Sequence, residues 1–134
     1  MANKINYRHM KTYHKYYKIK ANPEEVYNAM VKPFAIALWS GSPAKMEEKE
    51  GTEFSLFNGD IIGKNLEFVK DEKIVQEWYF GEQEKQSVVT IQLRPEKHFT
   101  NIELTHENIP DDAMEDMTVG WDEYYFGGLK EFFN

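Results

Sequence analysis

Residues 110–134 read PDDAMEDMTVGWDEYYFGGLKEFFN, and this segment carries the clearest helical pattern in the chain. Either Asp111 or Asp112 can cap the start of the helix, and Glu115 lies where it would complete a capping box with Asp112. Large apolar residues and one glycine then recur at intervals of three and four residues, which places them on one face. They are Met114, Met117, Trp121, Tyr125, Gly128 and Phe132. We expect this face to lie on a large apolar surface, and Asp122 and Glu123 to face solvent.

Three glycines within the same helix need an explanation. Gly120, Gly127 and Gly128 each cost a helix about 1 kcal/mol relative to alanine. Close packing, a local kink, or room for a ligand beside Trp121 would each account for them. The sequence leaves these alternatives open.

The residues before this helix predict an antiparallel sheet. Short runs of β-branched and aromatic residues alternate with polar ones and are separated by turn signals such as Asn58-Gly59-Asp60. The predicted strands are residues 13–19, 53–57, 61–69, 74–80, 88–93 and 99–105. Gly63 predicts a bulge in the third strand. Trp78 and Tyr79 fall on opposite faces of the fourth strand; the sequence leaves open which face is concave, and we place Trp78 on it.

Two short helices follow the first strand. Asn22 can cap a helix that has Pro23 at its first position and Glu25 placed to bond back to the cap. Pro33 ends or kinks this helix because proline lacks an N–H donor, and residues 34–39 predict another short helix. One strand, two helices, a meander of strands and a long last helix indicate a single α+β domain over residues 1–134, with residues 1–10 as a loose tail.

Composition and charge exclude several classes of function. With 41% hydrophobic and 15% aromatic residues, the chain is predicted to be a folded, soluble protein. No apolar run approaches the roughly 20 residues of a membrane-spanning helix. The first 20 residues hold six Lys or Arg and no acid, so the other 114 hold 10 basic and 23 acidic residues, a balance of −13. A body this acidic repels phosphate backbones, so we expect neither a nucleic-acid partner nor membrane insertion.

Catalytic and metal chemistry finds little support in the sequence. The chain has no cysteine, which excludes disulfides and thiolate zinc sites, and its N-terminus lacks the apolar core of a signal peptide, so we expect a cytoplasmic protein. No second His follows His106 at the spacing of a zinc helix, and we predict no metal ion or other cofactor. Ser40-Gly41-Ser42 is the nearest approach to a nucleophile elbow and precedes a proline, so we assign no catalytic residue.

Several short segments, taken with their order and spacing, resemble one protein family. They are residues 57–67 (FNGDIIGKNLE), 73–78 (KIVQEW), 87–91 (SVVTI), 104–106 (LTH) and 120–121 (GW). The family is named after the activator of the ATPase of the 90-kDa heat-shock chaperone and lies within the START-like (SRPBCC) superfamily. The resemblance covers residues 16–133. It implies a helix-grip fold, START-like or Bet v-like, in which a curved antiparallel sheet wraps the long C-terminal helix and leaves a cavity between them.

The resemblance implies three alternatives for function. The first is non-catalytic binding of an apolar or amphipathic small molecule, lipid-like or aromatic, in the cavity between helix and sheet. The second is a protein-interaction module of the co-chaperone type. The eukaryotic activator of this family has an additional N-terminal domain, for which 134 residues leave no room. We therefore expect that a chaperone need not be the partner. The third is an enzyme of the cyclase or hydrolase kind, which needs polar side chains that converge in the pocket.

For the first alternative, most of the predicted cavity walls are aromatic. His106 is the polar candidate: we expect it to hydrogen-bond and orient the connection to the last helix, or to contact a ligand headgroup. The predicted ligand-binding residues are Trp39, Trp78, His106, Met117, Trp121, Tyr124 and Tyr125. The sequence does not distinguish a monomer from a homodimer.

Overall fold

A six-stranded antiparallel sheet forms the frame of residues 10–83 and 85–134, which this computed structural model describes. The strands are β1 Met10–Ile19, β2 Glu53–Leu56, β3 Ile61–Val69, β4 Lys73–Trp78, β5 Ser87–Glu96 and β6 Phe99–Pro110. They lie in the order β1-β6-β5-β4-β3-β2, so β1 and β2 are the edges. The predicted α+β class is confirmed. The loose tail predicted for residues 1–10 lies, apart from Met10, outside the described residues.

Burial alternates along the strands, as expected for a sheet that is covered on one face. In β4 the side chains of Ile74, Gln76 and Trp78 are buried, whereas those between them are partly exposed. The placement of Trp78 on the covered face is therefore confirmed.

Gly63 is not the bulge that the sequence predicts. It pairs regularly with Phe54 on one side and Trp78 on the other, and the register shift in β3 lies between Asn65 and Glu67. A Cβ atom on Gly63 would lie 2.0 Å from the carbonyl oxygen of Glu77 and 2.8 Å from the Phe54 ring. Close packing, rather than an irregular strand, therefore explains this glycine.

Helices α1 (Pro23–Val31) and α2 (Pro33–Ser40) follow β1 as predicted. The Asn22 side chain accepts a hydrogen bond from the Glu25 backbone N–H at 2.9 Å, and the Glu25 carboxylate accepts one from the Asn22 N–H at 3.2 Å. This is the predicted capping box. Lys32 separates the two helices in an extended conformation, directly before Pro33.

The C-terminal helical segment departs from a simple α-helix. A 3-10 turn (Asp111–Ala113) leads into α3 (Met114–Val119), a π-helical turn (Gly120–Tyr125) and α4 (Phe126–Phe132). The capping box predicted for Asp112 and Glu115 is wrong, because the chain passes from β6 directly into the 3-10 turn and no side chain caps either start. In the π turn, the Phe126 N–H donates to the Trp121 carbonyl, five residues earlier. The wider turn lets Tyr125 and Phe126, neighbours in sequence, both face the core.

The core lies between the covered face of the sheet and the three helical segments that cross it. It combines aliphatic side chains of β5 and β6 with the apolar sides of α1, α2 and the C-terminal segment. In the part of the chain that the structure describes, the helices are too short or too polar to cross a membrane.

Two glycines of the C-terminal segment should respond in opposite ways when each is replaced by alanine. A Cβ atom at Gly128 would lie 2.6 Å from the Trp39 carbonyl oxygen, whereas one at Gly120 would meet no atom within 4 Å. Gly128→Ala should therefore lower the free energy of unfolding by about 1–3 kcal/mol through overpacking. Gly120→Ala should leave it unchanged or raise it by up to about 1 kcal/mol through helix propensity. Urea denaturation of both variants measures this, and equal effects would contradict the packing described here.

Candidate functional site

Aromatic side chains fill the contact between the C-terminal segment and the sheet. The Trp78 and Trp121 rings stack with centroids 4.6 Å apart and planes 22° apart. Tyr125 lies 4.7 Å from Trp121, and Trp39 meets Tyr125 edge-on at 4.9 Å. All four side chains are buried. Such contacts add roughly 0.5–1.5 kcal/mol per pair beyond the burial of their area, so this cluster holds the helix firmly on the sheet.

His106 joins the cluster to the sheet through both ring nitrogens. The Trp121 indole N–H donates to His106 Nδ1 at 3.0 Å, and His106 Nε2 lies 2.9 Å from the Ser87 hydroxyl. Because an indole nitrogen can only donate, Nδ1 carries no proton and the neutral ring holds its proton on Nε2. The Ser87 hydroxyl accepts a hydrogen bond from the Nε2–H group and donates one to the Glu107 carbonyl at 3.0 Å. Each polar atom of the chain Trp121–His106–Ser87 therefore has a partner.

Burial lowers the pKa of the His106 imidazole to about 3. The ring is therefore neutral at physiological pH, as the hydrogen bond from Trp121 requires. Since both nitrogens are already bonded to protein groups, His106 has no free polar atom to offer a ligand. Of the two roles that the sequence leaves open for His106, the geometry favours orientation of the helix.

A second buried chain of hydrogen bonds begins at Trp78. Its indole N–H donates to the Gln76 side-chain oxygen at 3.0 Å, and the Gln76 amide donates to the Asn65 side-chain oxygen at 3.0 Å. The Asn65 amide in turn donates to the Glu47 carbonyl and to the Thr52 hydroxyl, at 3.2 and 3.1 Å. The chain ties β4 and β3 to the loop before β2, which satisfies polar groups that would otherwise destabilise the core.

A small cavity remains between the helix and the sheet. The space open to a water-sized molecule is about 20 Å³, which is close to the smallest volume that holds one water molecule. Its walls are almost entirely apolar. The lining residues are Ile61, Trp78, Met117, Gly120, Trp121 and Tyr125.

The predicted site residues divide into three groups. Trp78, Met117, Trp121 and Tyr125 line the cavity, and their role in ligand binding stays a prediction. His106 and Trp39 are buried beside it; the Trp39 indole N–H donates to the Ala29 carbonyl at 2.8 Å, and its ring lies against Gly128. Tyr124 lies on the exposed side of the helix with 61% of its surface accessible, so its prediction as a cavity wall is wrong. The reason is that residues 121 and 125 of the π turn face the sheet, which directs residue 124 outwards.

Sequence reasoning missed Gln76, Asn65 and Ser87, the polar members of the two buried chains. Gln76 carried a signal, because it shares a strand face with Trp78. Asn65 and Ser87 lie in segments that carry the family resemblance, but no local pattern indicates their bonding partners, which are 11 to 20 residues away in sequence.

The prediction that Asp122 faces solvent also needs correction. It is half-buried, and one carboxylate oxygen accepts hydrogen bonds from the Tyr17 hydroxyl at 2.6 Å, Lys15 Nζ at 2.8 Å and the Tyr13 hydroxyl at 3.1 Å. Burial opposes ionisation of this carboxyl, but the bonds from Lys15, Tyr17 and Tyr13 outweigh it and hold its pKa below the usual value. Glu123 is exposed, as predicted.

The basic residues of β1 are largely neutralised within the chain. Four of them lie within 4 Å of a carboxylate, the closest pairs being His14–Glu103 and Lys15–Asp122 at 2.8 Å each. The other two pairs are Lys11–Asp111 and Lys18–Glu96. These exposed pairs contribute little stability individually, about 0–1 kcal/mol. Each basic side chain of β1 therefore lies beside a carboxylate of the same chain.

The free energy of unfolding of the domain should decrease at acidic pH because of His106. The unfolded chain binds a proton here below about pH 6.5, whereas the folded ring stays neutral down to about pH 3. Stability is therefore fully present above pH 6.5 and decreases below it; this residue alone should account for about 2 kcal/mol between pH 7.5 and pH 5. Urea denaturation at both pH values checks this.

Two variants isolate the contribution of His106. His106→Gln should remove that part of the pH dependence, while His98→Gln, at an exposed histidine, should keep it. The same pH dependence in the wild type and in His106→Gln would contradict a neutral buried imidazole.

Asp122 and its neighbour provide a matched pair for stability. Asp122→Asn removes the ionised acceptor of three hydrogen bonds and should lower the free energy of unfolding by about 1–3 kcal/mol. Glu123→Gln changes an exposed carboxylate and should shift the free energy of unfolding by less than about 0.5 kcal/mol. Thermal and urea unfolding of the two variants measure the difference. Equal small shifts would mean that Asp122 does not hold the helix to β1.

Comparison with known proteins identifies the family. The family model described as "Activator of Hsp90 ATPase homolog 1-like protein" matches residues 20–134. The chain belongs to this family. Among curated relatives, the human activator of 90 kDa heat shock protein ATPase homolog 1 is 27% identical over 125 residues, which cover 84% of this chain and 34% of the relative. The chain thus spans about a third of the length of the curated relatives it matches.

Solved structures agree with the family assignment. The crystal structure of an HSP90 activator from Plasmodium falciparum is 28% identical, with a TM-score of 0.82 and coverage of 92% of this chain and 95% of that one. The solution structure of an Aha1 dimer from Colwellia psychrerythraea has a TM-score of 0.80 at 20% identity, covering 92% and 96% of the two chains, and supports the fold alone. The predicted helix-grip fold of the START-like superfamily is confirmed.

Proposed function

We propose that this domain is a protein-interaction module of the chaperone-activator kind, which binds a 90-kDa heat-shock chaperone through its surface. The observation that carries the proposal is the small size of the cavity between the C-terminal segment and the sheet, among the residues that the structure describes. Pockets for small molecules usually measure about 300–1,000 Å³, whereas the cavity beneath the C-terminal helix measures about 20 Å³. The space in which a helix-grip protein would hold an apolar ligand is occupied here by Trp78, Trp121 and Tyr125.

The polar groups of the interior support the same conclusion. A ligand site needs a few convergent polar atoms that can turn to the ligand. The indole nitrogens of Trp78 and Trp121 and both nitrogens of His106 are instead bonded within the protein. Entry of a ligand between helix and sheet would separate Trp121 from His106 and leave the buried indole N–H without its partner, at a cost of about 1–3 kcal/mol.

The relatives support a chaperone as the partner. Both the human relative and the P. falciparum structure carry names of activators of the 90-kDa chaperone, and the latter matches this chain over nearly its whole length. The C. psychrerythraea relative is a dimer, so self-association is the competing mode of assembly for this chain.

Binding of a small apolar molecule is the second candidate, and one observation favours it. The cavity lies between the helix and the sheet, where the sequence predicts a site, and its walls are apolar and mostly aromatic. A ligand larger than a water molecule would require the C-terminal segment to move outwards from Trp78. This would separate the two stacked tryptophan rings.

One pair of assays distinguishes the two candidates. The purified chain should bind the 90-kDa chaperone of its source organism in isothermal titration calorimetry and raise that chaperone's ATPase rate in a saturable way. An unrelated acidic protein of similar size serves as the control. Fatty acids, sterols and aromatic polyketides should not raise the thermal midpoint of the chain.

The opposite pattern would overturn the proposal. A ligand at 100 times its dissociation constant adds about 2.7 kcal/mol to stability, a shift that is easily detected. Stabilisation by one of these ligand classes, together with neither binding nor ATPase stimulation of the chaperone, would assign the domain to ligand binding instead.

A further inference from the structure

Helix α2 is apolar on every side, yet only one side is covered. Its residues, PFAIALWS, include no charged side chain. A helix of this composition is typical of one that is buried all round. Ile36 and Trp39 do face the core, but Phe34 is 79% exposed and Leu38 57% exposed.

The two exposed side chains form one continuous ridge. Phe34 and Leu38 are four residues apart on a helix, so they are neighbours on the same face. Phe34 is also the most exposed of the large apolar side chains in the described part of the chain. By contrast, the exposed Val119 and Tyr124 of the C-terminal segment alternate with Glu115, Asp116 and Glu123, which is typical of a solvated helix face.

The stretch of sequence that carries the ridge differs in charge from the rest of the chain. No Asp or Glu occurs in residues 26–46, although the chain as a whole has a net charge of −7. The charged residues of this stretch are Lys32, exposed at the start of α2, and Lys45. Within its own stretch of chain the ridge is therefore flanked by positive charge alone, to which a neutral or acidic rim on the partner is complementary.

The size of the ridge favours a transient partner over a second copy of the chain. A fully exposed aromatic side chain offers about 150–250 Å², so the exposed parts of Phe34 and Leu38 together amount to roughly 200–300 Å². A stable dimer buries about 800 Å² on each subunit. Two large apolar side chains at helical spacing are instead the usual anchors of a helix that docks into a groove.

We infer that Phe34 and Leu38 are the anchors of the partner-binding surface and insert into an apolar groove with a neutral or acidic rim on another protein. The inference rests on the proposed function, in which this partner is the 90-kDa chaperone. It assigns recognition to α2 rather than to the C-terminal helix or the sheet.

The test compares two double variants of the full chain. Phe34→Ala with Leu38→Ala truncates the ridge. Ile62→Ala with Val119→Ala truncates two other exposed apolar side chains, on β3 and on the C-terminal segment, and is the matched control. Calorimetric affinity for the chaperone, ATPase stimulation and the thermal midpoint are measured for both, and analytical ultracentrifugation reports self-association of the wild type.

We expect the ridge variant to bind the chaperone at least about tenfold more weakly, with an unchanged thermal midpoint, and the control to bind like the wild type. If the wild type binds and the ridge variant binds equally well, this inference is overturned while the proposed function stands. If the wild type itself does not bind the chaperone, both are overturned. Self-association of the wild type that the ridge variant abolishes would show that the groove belongs to a second copy, which also overturns the inference.

Discussion

The hydrogen bond from the Trp121 indole to His106 fixes the C-terminal segment on the sheet. This bond forms only if His106 is neutral with its proton on Nε2. Ser87, the first residue of the neighbouring strand β5, holds that tautomer. With Trp121 in place, its ring stacks on Trp78 and directs Tyr125 towards Trp39. This polar contact and the aromatic packing around it together set the position of the helix on the sheet.

The packing between the C-terminal segment and the sheet bears on the proposed function. In a helix-grip fold the helix and the sheet can enclose a ligand or complete a core, and here aromatic side chains occupy the intervening space. The space of about 20 Å³ beneath the helix is consistent with the proposed recognition of another protein through the outer surface. The covered and uncovered sides of α2 show the contrast: Trp39 completes the core, whereas Phe34 is presented to solvent.

Most of the fold could be predicted from the sequence, because its signals are local. Asn22 and Pro23 set the start of α1, and the alternation of β4 placed Trp78 on the covered face. The π turn and the bonds of Asp122 could not be predicted, since Asp122 meets Tyr13 and Tyr17 more than 100 residues away in sequence. The candidate site was predicted in part: the cavity lies where expected, but its volume depends on side-chain packing that no local pattern records.

The tautomer of His106 at pH 7 tests the central claim most directly, because the hydrogen bond from Trp121 depends on it. The ¹⁵N resonances of a labelled sample distinguish the protonation state of each ring nitrogen. The structure requires a single neutral form, with the proton on Nε2 and a bare Nδ1 that accepts from Trp121. A protonated ring, a proton on Nδ1 or an exchanging mixture of tautomers would contradict it, and would mean that the helix does not close on the sheet as described here.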